Sequence, residues 1–365
     1  MNAERLLKHF ERISEAPDAI PRLRRFILDL AVRGKLVEQD PNDEPAEELL
    51  RRIQAEKARR IEVGEIRPPR SLEWIDEIEK IFSLPNSWAW IRLEEVGAII
   101  GGGTPPSGDP DNFTDGGAGI AWLTPADLGK HDDLYVSHGA RDLTEKGLQS
   151  SSATVMPKGS ILFTSRAPIG YTAIASNEIS TNQGFKSVVP YIVECSRYVA
   201  TYLHAFGTWI DSQAPGTTFR EVSGKIVSGL PFPLPPLAEQ HRIVAKVDEL
   251  MALCNELEAA REKREIQRDR LVAASLHGLN NGSLSPEPGR LTFEESARFY
   301  FKHLPRLTTR PGHIKQLRQT ILNLAVQGKL VEQDPNDEPA AELLKQIERE
   351  KEQQMKPEKS IGRML

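Results

Sequence analysis

Apolar side chains at Leu23, Phe26, Ile27, Leu30 and Ala31 recur three and four residues apart, the stripe of a helix that buries one face. Gly34 suits the end of that helix, and the run QDPNDEP that follows is rich in turn formers. Pro45 sits where a first helical position tolerates a missing N–H. Glu47 and Glu48 then face the positive end of the helix dipole, and Arg59 and Arg60 its negative end. The pattern predicts two helices around a loop.

The same pattern returns near the other end of the chain. Residues 23–59 read LRRFILDLAVRGKLVEQDPNDEPAEELLRRIQAEKAR and residues 317–353 read LRQTILNLAVQGKLVEQDPNDEPAAELLKQIEREKEQ, at a constant offset of 294. Residues 34–46 recur unchanged as 328–340, and weaker matches pair Lys8-His9 with Lys302-His303, Pro17 with Pro311 and Ile20 with Ile314. An offset this long excludes a solenoid and implies duplication of a domain-sized unit. The second copy stops at Leu365, before anything matching residue 72 onward. Each copy reads equally as a packing hairpin or as a docking surface for a partner.

Between the copies the texture changes twice. Residues 62–80 read as a hinge broken at Arg67-Pro68-Pro69. From Leu84 glycine and proline become frequent, and short β-prone runs appear at residues 153–155, 161–164, 172–175 and 186–190. This predicts a compact α/β (α+β) domain closing at PFPLPPLAEQ, whose prolines stop the last strand and set up a helix. Residues 237–277 then read as one long coiled-coil-type helix, roughly 60 Å at 1.5 Å per residue. Ile243, Val247, Leu250, Cys254 and Leu257 form a heptad seam that lapses at Arg261, Arg264 and Arg268 and resumes at Leu271. The three arginines read as an exposed face or as an approach to DNA or a partner's acids. Gly278 and Asn280-Asn281-Gly282 are expected to end the helix, with a loop over 280–292. The expected division is 1–80 (helical repeat), 81–235 (α/β domain), 236–280 (long helix) and 281–365 (second, shortened helical repeat).

Composition narrows the chemistry. Only 39% of the 365 residues are hydrophobic, low for one compact globule and consistent with much solvent-washed helix. No run approaches the roughly 20 apolar residues of a membrane span, and MNAERLLKHFERISEA lacks an apolar signal core. Cys195 and Cys254 are too few for a disulfide scaffold, and no Cys/His cluster has zinc spacing. A cytoplasmic protein with reduced thiols and no cofactor is expected. No Glu-x-Lys triplet of a metal-dependent nuclease occurs. Asp40-Pro41 and Asp109-Pro110 lack the second proline and aromatic of an amino-methyltransferase, and no G-x-x-x-x-G-K-[ST] loop is present. No catalytic centre is expected.

Four segments and their order carry a family resemblance. LPNSWAWIRLEEVGAIIGGGTPP, MPKGSILFTSRAPIGYTAIASNEISTNQGFKSVVP, GTTFREVSGKIVSGLPFPLPPLAEQHRIVAKVDEL and the repeated AVQGKLVEQDPNDEPA resemble the specificity subunits of type I restriction-modification systems. The resemblance implies that 81–235 is a target recognition domain for one half of a split double-stranded DNA site. It implies that 236–280 is a spacer helix that pairs antiparallel with another. It also implies methyltransferase subunits, and restriction or motor subunits, as partners. The family pattern has two recognition domains and two spacers, whereas this chain carries one of each. A second specificity chain, or self-association through the spacer helix, is the expected complement. The other reading is a coiled-coil adaptor that binds no DNA, or an inactive truncated subunit.

Charge argues for help with DNA. Net charge is −5, and residues 85–235 hold ten Lys/Arg against fourteen Asp/Glu. Phosphate contacts need cations, so isolated binding is expected to be weak. Candidate contacts follow the resemblance. Gly102, Gly103 and Thr104 read as a loop close to phosphate or as a plain turn. Arg166, after an apolar run and before Ala-Pro, reads as a guanine reader or as an ion pair. Asn182 and Gln183 offer amides to adenine or form an Asx-type turn. Lys186, Thr217, Thr218, Arg220 and Lys225 read as phosphate contacts or solvated surface. Residues 105–150, holding Lys130, His131, His138, Arg141 and Lys146, are expected to carry most base readout.

Overall fold

The computed structural model describes residues 16, 18–66, 75, 81–131, 133–166, 168–215, 220–282, 291–332 and 334–354. The hinge at 67–69, the upstream match at Lys8-His9 and Pro17, most of the 280–292 loop, and Thr217 and Thr218 lie outside them. Two compact units divide between Glu258 and Ala259.

The first unit opens with helices α1 (Ala19–Val32) and α2 (Ala46–Glu62). Gly34 takes φ 65° and Lys35 N–H donates to the Leu30 carbonyl, a left-handed helix cap that only glycine adopts without strain. The buried face of α1 is Ile20, Ile27, Leu28, Ala31 and Val32. Leu23 and Phe26, expected on the buried stripe, are exposed. A stripe this wide leaves the choice of face to the packing partner, and that partner comes from the domain downstream.

That domain is α+β. Strand β1 (Ala89–Arg92) pairs antiparallel with β11 (Pro231–Leu234), Ala89 opposite Leu234 and Arg92 opposite Pro231, so the first and last strands are zipped together. Pro231 and Pro233 lie inside β11 rather than ending it. A two-stranded ladder leaves one backbone edge unpaired, which tolerates a missing donor. The main sheet has five strands in the order β2 (Gly97–Gly101), β10 (Lys186–Pro190), β7 (Ile161–Phe163), β8 (Thr172–Ala175) and β5 (Tyr135–Val136). Three of the four predicted runs are therefore strands. Residues 153–155 are not, and only a bridge at Met156 to Ile179 follows them. Smaller ladders join β3 (Phe113–Asp115) to β6 (Arg141–Leu143) and β4 (Trp122–Leu123) to β9 (Ser180–Thr181).

Helix α6 (Ser196–Ser212) buries Tyr198, Tyr202, Phe206 and Ile210. Phe232 of β11 meets the Tyr198 and Tyr202 rings edge-on at 5.7 and 4.9 Å. Trp88 packs at the Tyr198 edge and donates its indole N–H to Glu239 at 2.9 Å. Gln39 donates to the same carboxylate at 2.6 Å, and Arg242 binds Asp43 through both terminal nitrogens at 3.0 and 2.5 Å. The repeat loop, the α+β domain and the next helix are thus locked by one polar cluster around one apolar core.

Helix α8 runs from Leu237 to Asn281, four residues past the expected end. Gly278 does not stop it. A mid-helix glycine costs only about 1 kcal/mol, and a Cβ there would come within 3.3 Å of Ser296 Oγ, so the position serves close packing. The expected seam also resolves differently. Ile243, Val247 and Cys254 are buried in the first unit's own core and Leu250 is packed against it, while Leu257 and Leu271 are exposed. The first half of the seam is therefore satisfied within the chain and is closed to a partner helix.

The second unit contains the rest of α8 with α9 (Phe293–Leu307), α10 (Pro311–Val326) and α11 (Ala340–Gln354). Val272, Leu276 and Leu279 pack against Tyr300 and Leu307, with Leu317 of α10 against them. His313 Nε2 lies 2.7 Å from Asp269 Oδ1, tying α10 to α8. Of the three arginines in the seam gap, Arg268 pairs with Glu265 of its own helix.

Candidate nucleic-acid interface

Segments far apart in sequence meet at one end of the main sheet. Gly103 N–H donates to the Thr181 carbonyl at 2.9 Å, and Thr104 Oγ1 is hydrogen-bonded to Gln183 Oε1. Asn182 N–H donates to the Leu123 carbonyl, and Ser165 N–H to the Gly184 carbonyl at 2.7 Å. Val222 N–H donates to the Ser165 carbonyl. These bonds gather 102–104, 123–125, 164–166, 181–186 and 220–222 into one patch. Helix α4 (Pro125–Leu128) starts beside Gly184 and leads to exposed Lys130.

Within the patch several side chains have structural work. A Cβ on Gly102 would sit 2.0 Å from the Asn182 carbonyl oxygen, and one on Gly103 would sit 2.3 Å from Ala153 N. The glycines permit backbone to pack on backbone, and the Gly103 N–H is already engaged. Asn182 Oδ1 accepts the Gly184 N–H at 2.8 Å, the Asx-type turn. Thr164 and Ser165 are buried and hydrogen-bonded to Pro168 and Gly184 carbonyls.

The cations are mostly held by acids that the sequence did not single out. Arg166 pairs with Glu221 at 2.9 Å, and Lys186 reaches the other oxygen of the same carboxylate at 3.5 Å. Burial works to raise the Glu221 pKa, but the bonds from Arg166 and Lys186 outweigh it and hold the carboxyl below its ordinary value. Arg220 pairs with Asp211 at 3.0 Å. Among the described residues Lys130, Lys158 and Lys225 are exposed and have no acidic partner. Lys158 was not singled out, because a lone lysine in a turn carries no pattern.

The remaining candidates of 105–150 are engaged in other contacts. Arg141 stacks over the Phe113 ring at 4.5 Å, and Lys146 bridges Asp109 and Asp111 at 2.8 and 3.3 Å. His131 Nε2 lies 2.8 Å from the Tyr135 carbonyl, and His138 Nδ1 2.9 Å from Ser137 Oγ. Among the described residues no three His, Cys, Asp or Glu side chains cluster as a metal site, and no helix is long and apolar enough to cross a membrane.

Residues 85–268, from just ahead of β1 to well inside α8, match the family model of the type I restriction modification DNA specificity domain. The chain belongs to that family. This specificity-family chain is 34% identical over 348 residues to the type I restriction enzyme EcoEI specificity subunit of Escherichia coli, covering 92% of the chain and 56% of that protein. It is 36% identical over 175 residues to the MjaIX specificity subunit of Methanocaldococcus jannaschii, covering 47% of the chain and 40% of that protein. The crystal structure of the HsdS subunit from Thermoanaerobacter tengcongensis aligns with a TM-score of 0.40 at 24% identity, over 70% of this chain and 52% of that one. The specificity-family chain thus spans about half the length of the curated relatives it matches.

Proposed function

We propose that this chain reads one half of a split double-stranded DNA site and positions methyltransferase subunits, and restriction subunits with them, without chemistry of its own. The observation that carries this is the family match over 85–268, which coincides with the α+β domain and the head of the long helix. The converging patch supports a contact surface containing Lys130, Arg166, Asn182, Gln183, Lys186 and Lys225. Arg166 and Lys186 then reach DNA by exchanging Glu221 for guanine edges or phosphate. Thr104, Arg220 and the stretch 105–150 belong to the rim of the same proposal, and Thr218 is a phosphate candidate from sequence alone.

One recognition domain reads one half-site, so the working unit holds two. Exposed Leu253, Leu257 and Leu271 fit an antiparallel pairing of α8 with that of a second copy, a two-fold arrangement that demands half-sites reading alike on opposite strands. The test is sequencing of methylated motifs in cells that express this chain and its methyltransferase with no other specificity chain. An inverted-repeat motif with a fixed gap is expected. No methylated motif overturns the DNA-reading proposal, and a motif with unlike halves overturns the homodimer.

A further inference from the structure

Residues 296–331 hold seven Lys/Arg and no Asp or Glu, in a chain whose net charge is −5. The matching stretch of the first copy, residues 2–37, carries Glu4, Glu11, Glu15, Asp18 and Asp29. At +294 these positions hold Arg298, Pro305, Thr309, Gly312 and Asn323, so every acid of the first copy is gone from the second. Cations are kept or added: Lys8 and Arg12 return as Lys302 and Arg306, and Arg310 and Lys315 stand where the first copy has Ala16 and Pro21. The lost acids include neutralising ones, since Asp18 pairs with Arg22 and Asp29 with Arg33, each at 2.7 Å.

Two cations of the run have structural work. Arg310 binds Glu265 and Asp269 at 3.0 and 3.3 Å, and Lys329 donates to the Asn280 and Gly282 carbonyls, each at 3.3 Å. Arg298, Lys302, Arg306, Lys315 and Arg318 are exposed and have no acidic partner among the described residues. The first three form a stripe on α9. Ser296, Tyr300 and Leu307 are the buried face of that helix, and helical periodicity puts Arg298, Lys302 and Arg306 on the opposite face. Like charges four residues apart repel and weaken a helix. Helix α11 of the same unit shows an ordinary solvated face. There Lys345, Arg349 and Lys351 are interspersed with Glu342, Glu348, Glu350 and Glu352, and Lys345 pairs with Glu342 at 2.7 Å. The α9 stripe has no such neutralisation among the described residues, so its complement is an external polyanion.

We propose that Arg298, Lys302 and Arg306 hold backbone phosphates of duplex DNA outside the half-site. The stripe is about 12 Å long, and over that length one DNA strand presents three or four phosphates at about 3.4 Å of axis each. Cations clustered along a helix are the footprint of sequence-independent contact, whereas the core of a protein interface is depleted of charge. The α+β domain is short of such contacts. Residues 85–235 hold fourteen acids to ten bases, and Glu221 and Asp211 engage Arg166, Lys186 and Arg220. The phosphates lie outside the half-site because two separate bodies cannot occupy the same ones. This inference rests on the half-site reading of the α+β domain.

The test is fluorescence anisotropy of the full chain with a duplex several helical turns long, titrated across salt concentrations. Joint substitution of Arg298→Gln, Lys302→Gln and Arg306→Gln should lower the slope of log K against log salt by about 3, equally on duplexes of any sequence. Lys302→Gln alone should lower it by about 1, so the result does not hang on the triple variant. Arg298→Lys with Arg306→Lys should keep the parental slope. The charge-matched control on α11, Lys345→Gln with Arg349→Gln and Lys351→Gln, should keep it too. An α9 slope equal to the parent's overturns the proposal, as do equal losses in the α9 and α11 variants or no binding of the duplex by the parent at low salt. An unmoved slope with weakened methyltransferase binding would assign the stripe to an acidic protein surface instead. A methylated motif that persists beside an unmoved slope sinks this inference and leaves the half-site reading standing. A slope that falls as expected in a chain that directs no methylated motif does the reverse.

Discussion

Arg166 and Glu221 are joined at 2.9 Å across 55 positions of sequence, and Glu221 holds Lys186 as well. One carboxylate therefore restrains two of the cations that the DNA-reading proposal needs. Arg166→Ala is expected to weaken specific DNA binding by about 1–3 kcal/mol, the size of a lost base contact, and Arg141→Ala to have little effect. Glu221→Gln should tighten binding, because both cations are freed. A melting temperature lowered equally by Arg166→Ala and Glu221→Gln, with DNA affinity unmoved, would make the pair purely structural.

The salt dependence of binding counts the free cations. Two lysines of the proposed surface, Lys130 and Lys225, are exposed without an acidic partner among the described residues, which corresponds to a slope of about −2 in log K against log salt for the isolated chain on a half-site duplex. Titration by fluorescence anisotropy across salt concentrations measures it. A slope twice as steep would mean that the acid-paired cations also meet phosphate. Addition of the methyltransferase should steepen the slope and tighten binding.

The long helix separates internal from external leucines. Ile243→Ala should destabilise the fold by about 2–5 kcal/mol, since it empties a fully buried site. Leu257→Glu and Leu271→Glu change exposed positions and should leave denaturant midpoints nearly unchanged. Light scattering should show that they disrupt two-copy complexes. Wild-type assembly in both variants would exclude the antiparallel pairing of α8.

Glu239 gives a pH signature. Burial raises its pKa above the ordinary 4.5, against the opposing bonds from Trp88 and Gln39. A carboxyl raised on folding adds stability that is fully present below its unfolded value and lost as pH rises through the folded one. The stability of wild type relative to Glu239→Gln should therefore improve as pH falls toward 4.5. A difference that moves the other way between pH 7 and 4.5 would show that the hydrogen bonds dominate burial.

Much of the architecture is legible before any folding. The repeat, the long helix and three of four β-prone runs follow from local spacing, because helix and strand periodicity are properties of adjacent residues. The patch is less legible. Arg166, Asn182 and Gln183 stand out as residue types, but Glu221 and Asp211 do not, since an acid in a polar loop has no periodicity to mark it. Gly102 and Gly103 suggest a phosphate loop in isolation, and only the neighbouring backbone of 152–153 and 181–182 gives them a different reason to exist.

The sequence by itself determined that residues 34–46 and the described residues of 328–340 fold alike, as their matching φ angles and turn bonds show. Their capping and turn chemistry is local, so an identical string carries an identical loop. It also determined that each repeat helix is amphipathic. Tertiary structure decided which face is used. Val32 and Val326 occupy the same position of the same motif, yet one is buried by Trp88 and its neighbours and the other is open to solvent. An apolar stripe states that a face seeks cover. What covers it depends on the elements that long-range pairing brings alongside: the β1–β11 zipper and α6 for the first copy, the end of α8 and α9 for the second.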